Sequence, residues 1–138
     1  MAEQTPHAHV VVTAPPAAVV FIQRVRNGRV YYIAPGVAVL DGETPGSAAT
    51  RAARTELGVV VSIEEMVYAQ VFAGVDHFFF LATAESELDS DFLVSDHDDF
   101  ELDAELGGSY EIARLPLASL LGYDVRPWAL ARRLVGAR

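Results

Sequence analysis

The chain has 138 residues, enough for one domain that buries about two-thirds of the surface its unfolded form exposes. Hydrophobic residues make up 51% and charged residues 21%, which excludes a disordered polymer, and no apolar run approaches the roughly 20 residues of a membrane-spanning helix. The net charge of −9 argues against nucleic acid as a partner, because duplex binding draws most of its affinity from neutralised phosphates.

There is no cysteine, so disulfides, thiolate nucleophiles and zinc–thiolate sites are all excluded. All ten basic residues are arginine. Schiff-base chemistry is therefore absent, and phosphate contacts fall to arginine, backbone N–H groups or a metal. The opening "MAEQTPHAH" has no basic residue and does not read as a secretory signal. The expectation is a cytoplasmic, single-domain protein over 1–138, with 1–8 as a flexible tail, and with neither a membrane nor nucleic acid among its partners.

In chain order, "HVVVTA" (9–14) is β-branched and strand-like. His7 and His9 fall at its frayed start and receive no role. After Pro15-Pro16 a strand over 17–26 meets Asn27-Gly28, a strong two-residue hairpin signal, and 29–35 returns. A short stretch, Val37–Leu40, leads to the Asp41-Gly42 turn. A helix is then expected from Pro45 to Leu57, with Thr44 as N-cap, Pro45 at the first position and Gly58 as the stop. Segments 59–63, 66–74 and 77–84 read as strands. Ten of the nineteen acids lie between Glu85 and Glu105, a stretch read as a solvated loop. A last strand over 109–117 and a closing helix from Pro127, anchored by Trp128, complete the chain. Strands and helices mix without a βαβ rhythm, which predicts an α+β fold with a mixed sheet.

At 100° per residue the helix carries Ala49, Ala53 and Leu57 on one stripe, and Ala48, Ala52, Thr55 and Glu56 on the next. Ser47, Arg51 and Arg54 face solvent on this projection.

The segment Val37–Val59 resembles the signature of the Nudix superfamily: Gly, five residues, Glu, seven residues, then Arg-Glu-hydrophobic-x-Glu-Glu-x-Gly-hydrophobic. Glu43, Arg51, Glu56, Gly58 and Val59 match at the required spacing. Pro35-Gly36, the run Gly42-Glu43-Thr44-Pro45 and the downstream "GSYEIARLPLASL" are also similar to the family, so the resemblance covers about Val10 to Leu134. It implies a Nudix-like α/β/α sandwich with a mixed β-sheet. Three positions depart: Val37 replaces the opening Gly, and Ala52 and Thr55 replace helix acids. The box is degenerate.

Diphosphate hydrolysis needs charge neutralised on the phosphoryl oxygens and a water activated, work that Mg²⁺ held by carboxylates performs. The resemblance implies Glu56 as the remaining catalytic and metal-binding acid, for Mg²⁺ or Mn²⁺ held weakly. Asp98, Asp99 and Glu101 are late-loop acids that could complete the metal site; with Asp96 they flank His97 in what reads first as a mobile, solvated loop. Loss of a general base alone costs about 10²–10⁴ in rate. Glu43 and Arg51 read as a structural ion pair, and Arg24, Arg26 and Arg29 around the hairpin as surface arginines or contacts for an anionic substrate. His77 reads as a partly buried structural histidine. Tyr31, Tyr32, Phe72 and Phe78–Phe80 belong to the core, with one or two left over to line a pocket.

Two functions follow. One is a Nudix hydrolase-like protein acting on a small nucleotide or other diphosphate-linked metabolite, its Mg²⁺-dependent hydrolysis weakened or lost. The other is an inactive or repurposed Nudix-fold protein that binds a ligand or partner, or performs metal-independent chemistry. Either takes a small-molecule ligand, and the resemblance allows a homodimer.

Overall fold

The computed structural model describes residues 5–14, 17–85 and 108–136, apart from the side chains of 108–110. Among the described residues eight strands form one curled, mixed sheet: β1 (His7–Ala14), β2 (Ala18–Arg26), β3 (Arg29–Ile33), β4 (Gly36–Ala38), β5 (Val61–Phe72), β6 (Val75–Ala84), β7 (Gly108–Pro116) and β8 (Val125–Arg126). The main path runs β5-β6-β1-β2-β3-β8, with β4 on β1 and β7 on β2. β1 lies parallel to β6, and β3 parallel to β8; the other pairs are antiparallel. The α+β class and mixed sheet expected from the sequence are those observed.

Alternation along β1 sorts the core into two layers, because successive side chains leave opposite faces of a strand. Ala8, Val10, Val12 and Ala14 join Ala48, Ala49, Ala52, Ala53 and Leu57 under helix α1 (Pro45–Ala52). Val11 joins Phe21, Tyr32, Phe79, Leu120 and the buried Leu130, Ala131 and Leu134 of helix α2 (Trp128–Gly136) on the other face. The result is a sheet between two helical layers. Trp128 does not anchor α2: it is 47% exposed, and its position at the first turn turns it away from the stripe that packs on the sheet.

Asn27 (φ 53°) and Gly28 (φ 76°) close the β2–β3 hairpin, with Arg26 opposite Arg29. Two consecutive positive φ values match the strand twist, and Asn-Gly accepts them at low cost. Ala73 (φ 53°) and Gly74 (φ 81°) make the same turn between β5 and β6. The two strands expected over 59–63 and 66–74 are one continuous β5, with one register shift between Ile63 and Glu65 and a second between Met66 and Tyr68.

Candidate functional site

The loop before α1 is organised by one arginine. Thr44 caps the helix, its hydroxyl oxygen accepting from the Ser47 amide at 3.1 Å. Arg51 donates through Nε to Glu43 Oε2 at 3.0 Å and through Nη2 to Glu43 Oε1 at 3.1 Å, a bidentate fork. The same Nη2 donates to the Ala38 carbonyl at 2.8 Å, while Glu43 Oε1 accepts from the Leu40 amide at 2.9 Å. Arg51 and the Leu40 amide hold the Glu43 carboxyl below the usual carboxylate range, and Glu43 raises the Arg51 guanidinium. Arg51 is therefore a tie between β4, the loop and the helix, not the solvent-facing residue of the helical projection.

Past Ala52 the helix changes pitch. Ala53–Leu57 is a π-turn that ends at Gly58 in the left-handed region (φ 72°). Ala52 has no exposed surface and lies in the core with Ala48, Ala49 and Ala53. Thr55 is exposed, with its hydroxyl 3.5 Å from the Ala52 carbonyl, and Glu56 is half-buried on the π-turn. One carboxylate thus stands where the box resemblance expects a cluster. Among the described residues no three His, Asp or Glu side chains are placed to hold a metal ion. Glu56 is the box carboxylate among the described residues that could ligate Mg²⁺, a hard cation that would complete its octahedral oxygen shell with waters and ligand phosphates, and no step is derived through it. Asp98, Asp99 and Glu101, like Asp96 and His97, lie outside the described residues.

A second feature occupies the opposite, α2 side of the sheet. A cavity of about 490 Å³ is lined by His9, Ile33, Ala34, Gln70, Phe72, His77, Phe79, Arg126 and Pro127. Its size and mostly apolar wall with a few polar groups suit a small ligand. His9 lies flat on Phe79, with ring centroids 4.4 Å apart and planes within 10°. His9 Nε2 is 3.0 Å from His77 Nδ1. Burial first, and then His77, press the His9 ring down to a pKa of about 4, so it is neutral at pH 7. Arg126 forms a two-point fork with Asp124, at 3.2 and 3.0 Å, and its guanidinium lies 4.3 Å over the Tyr31 ring.

Neither His7 nor His9 lies in a frayed tail: β1 begins at His7, which pairs with Ala38 on one side and His77 on the other. Phe72 and Phe79 are the aromatic residues left over for a pocket wall. The cavity's arginine is Arg126; Arg24, Arg26 and Arg29 fall outside its lining, and the Arg24 guanidinium sits 5.9 Å over Tyr31. The missed residues carried one sequence signal, the His-x-His spacing, which on a strand puts both rings on one face.

Solved structures with this fold cover nearly the whole chain. A NUDIX family hydrolase from Clostridium perfringens superposes with a TM-score of 0.68 at 13% identity, over 99% of each chain. The fold is that of the Nudix hydrolases. The Escherichia coli ORF135 protein matches the Nudix fold of this chain with a TM-score of 0.67 at 14% identity, over 99% of this chain and 91% of its own. A MutT protein described for Aliivibrio salmonicida and Vibrio cholerae gives 0.67 at 13%, over 96% and 97%. No protein-family model and no curated protein matches the chain.

Proposed function

We propose that this Nudix-fold protein binds a small nucleotide or other diphosphate-linked metabolite, with its ring in the 490 Å³ cavity, and that Mg²⁺-dependent hydrolysis is weak or lost. One observation carries the reading. The box loop keeps its Glu43–Arg51 fork, yet position 52 is a core alanine and position 55 a hydroxyl facing its own backbone. A frame that keeps one box carboxylate, Glu56, favours binding over turnover. Removing one base costs about 10²–10⁴ in rate, or on the order of 3–5 kcal/mol of barrier, and removing a metal ligand adds to it.

The second reading is a divergent hydrolase in which Glu56 and an acid among Asp98, Asp99 and Glu101 hold Mg²⁺ or Mn²⁺. The half-buried placement of Glu56 on the π-turn favours it, since such turns are frequent at functional sites. A metabolite panel scored for both binding and turnover, with and without Mg²⁺, separates the two. Binding without metal-dependent turnover supports the first. Mg²⁺-dependent turnover that Glu56→Gln abolishes establishes the second and refutes the first.

A further inference from the structure

One wall of the ring cavity carries a permanent charge. Among the described lining residues Phe72, Phe79, Ile33 and Pro127 supply flat apolar surface, and Arg126 supplies the one guanidinium. Close approach of the backbone keeps this surface flat. His9 lies against Phe79, and its register partner on β4 is Gly36. A Cβ on Gly36 would lie 2.1 Å from His9 Nδ1, although the Gly36 backbone is not left-handed. This glycine is therefore required for space, not for conformation.

Strand register fixes where the guanidinium stands. β8 runs parallel to β3 with Arg126 beside Ile33, so Arg126 leaves the sheet on the face shared by Ile33 and Tyr31. The Tyr31 ring supports one face of the guanidinium at 4.3 Å. Asp124, two residues before Arg126, accepts from Nε at 3.2 Å and from Nη2 at 3.0 Å. The Asp124 backbone is itself pinned, because its carbonyl accepts from the Tyr32 amide at 2.8 Å. A fork through Nε and Nη2 uses the side of a guanidinium. The end, formed by Nη1 and the second hydrogen of Nη2, bonds to none of the described residues. Charge points the same way. Arg126 above all, and then Arg29, holds the Asp124 carboxyl below the usual carboxylate range, against burial. One carboxylate thus faces two guanidiniums.

We infer that Arg126 is the phosphate-recognising residue of this cavity: the end of its guanidinium receives the phosphate of a ligand whose ring lies against Phe72 and Phe79. The inference rests on the cavity being the ligand site. Two parallel N–H groups match two oxygens of a phosphate, and a guanidinium already held by a ring and a carboxylate loses little freedom on binding. Asp124 acts twice, orienting Arg126 and repelling the arriving phosphate. Because about half of each side chain is exposed, at 48% and 50%, water and salt screen that repulsion.

The test titrates the full-length protein with 1-naphthyl phosphate and with 1-naphthol, followed by NMR at Phe79 and at the Arg126 Nε–H. Both ligands should perturb Phe79. At pH 7.5 and low salt the phosphate should bind roughly tenfold to hundredfold more tightly, as expected for hydrogen bonds to a charged group. That preference should collapse in Arg126→Gln and shrink in high salt. It should recover only in part in Arg126→Lys, which restores the charge without the fork, and grow in Asp124→Asn, which removes the repelling carboxylate. A preference unchanged in Arg126→Gln, or fully restored by lysine, overturns the inference. Loss of the preference in both Arg126→Gln and Asp124→Asn marks a general loosening and overturns it as well. Equal binding of the two ligands to wild type, with Phe79 responding to both, sinks it yet leaves the cavity as a binding site. No response at Phe79 to either ligand removes both readings.

Discussion

Restoring a carboxylate at position 52 tests whether the box can be rebuilt by sequence alone. Ala52 has no exposed surface and packs among Ala48, Ala49, Ala53 and β1. Ala52→Glu inserts three heavy-atom shells into that layer, and overpacking alone costs about 1–3 kcal/mol. The charge adds a second penalty. A carboxylate there takes a proton once its pKa rises above 7, so from an unfolded value near 4.3 the electrostatic cost at pH 7 has a ceiling of about 3.7 kcal/mol, at 1.36 kcal/mol per unit. Together these reach at most about 5–7 kcal/mol, a large share of a typical stability of about 5–15 kcal/mol. The unfolded chain is then ionised while the folded chain holds the proton, so the charge penalty shrinks as pH falls toward 4.3. Urea unfolding of Ala52→Glu and Ala52→Gln at pH 7.5 and 5.0 separates the parts. Both should lose the volume term, whereas only the Glu variant should lose further stability at pH 7.5. If Ala52→Glu matches Ala52→Gln at pH 7.5 and gains thermal stability from Mg²⁺, the side chain reaches solvent and the reasoning fails.

Leu57→Ala should cost about 2–5 kcal/mol in urea unfolding, because Leu57 is fully buried beneath the π-turn and leaves a cavity. His9, neutral in the fold with a pKa of about 4 against 6.5 unfolded, should make stability fall as pH drops from 6.5 to 4. In that window the unfolded chain binds more protons, and the 2.5-unit difference sets an upper bound of about 3 kcal/mol; His9→Phe should flatten the curve. Glu43→Gln should speed hydrogen exchange at the Leu40 amide, which donates to Glu43 Oε1, and leave exchange in β2 unchanged. Unaltered exchange at Leu40 would show that the loop holds itself without the fork.

The strands and the helix start were legible because their signals are local. Asn27-Gly28 requires two positive φ values, and Thr44-Pro45 satisfies a helix N-terminus, whatever the rest of the chain does. The Glu43–Arg51 pair was legible from its spacing within the box. What stayed hidden depends on contacts between distant segments. A helical projection contains no partners: Arg51 is drawn in by the Glu43 fork and the Ala38 carbonyl, Ala48 and Ala52 are buried against β1, and the π-turn breaks the 100° projection from Ala53 onward. The cavity joins β1, β3, β5, β6 and β8, and His9 reaches His77 only across 68 residues of sequence. Trp128 misled for a related reason: size suggests an anchor, but the facing stripe of α2 belongs to Leu130, Ala131 and Leu134.

β4 is three residues long, and its two ends serve different faces of the protein. Ala38 receives Arg51 from the helix side, while Gly36 makes room for His9 on the cavity side. It is a party wall between two rooms. A side chain at Gly36 would strike the His9 ring and strain the strand that Arg51 holds. The tie to Arg51 and the clearance for His9 both rest on Gly36–Ala38, so a change at one end of this short strand is felt on both faces of the sheet.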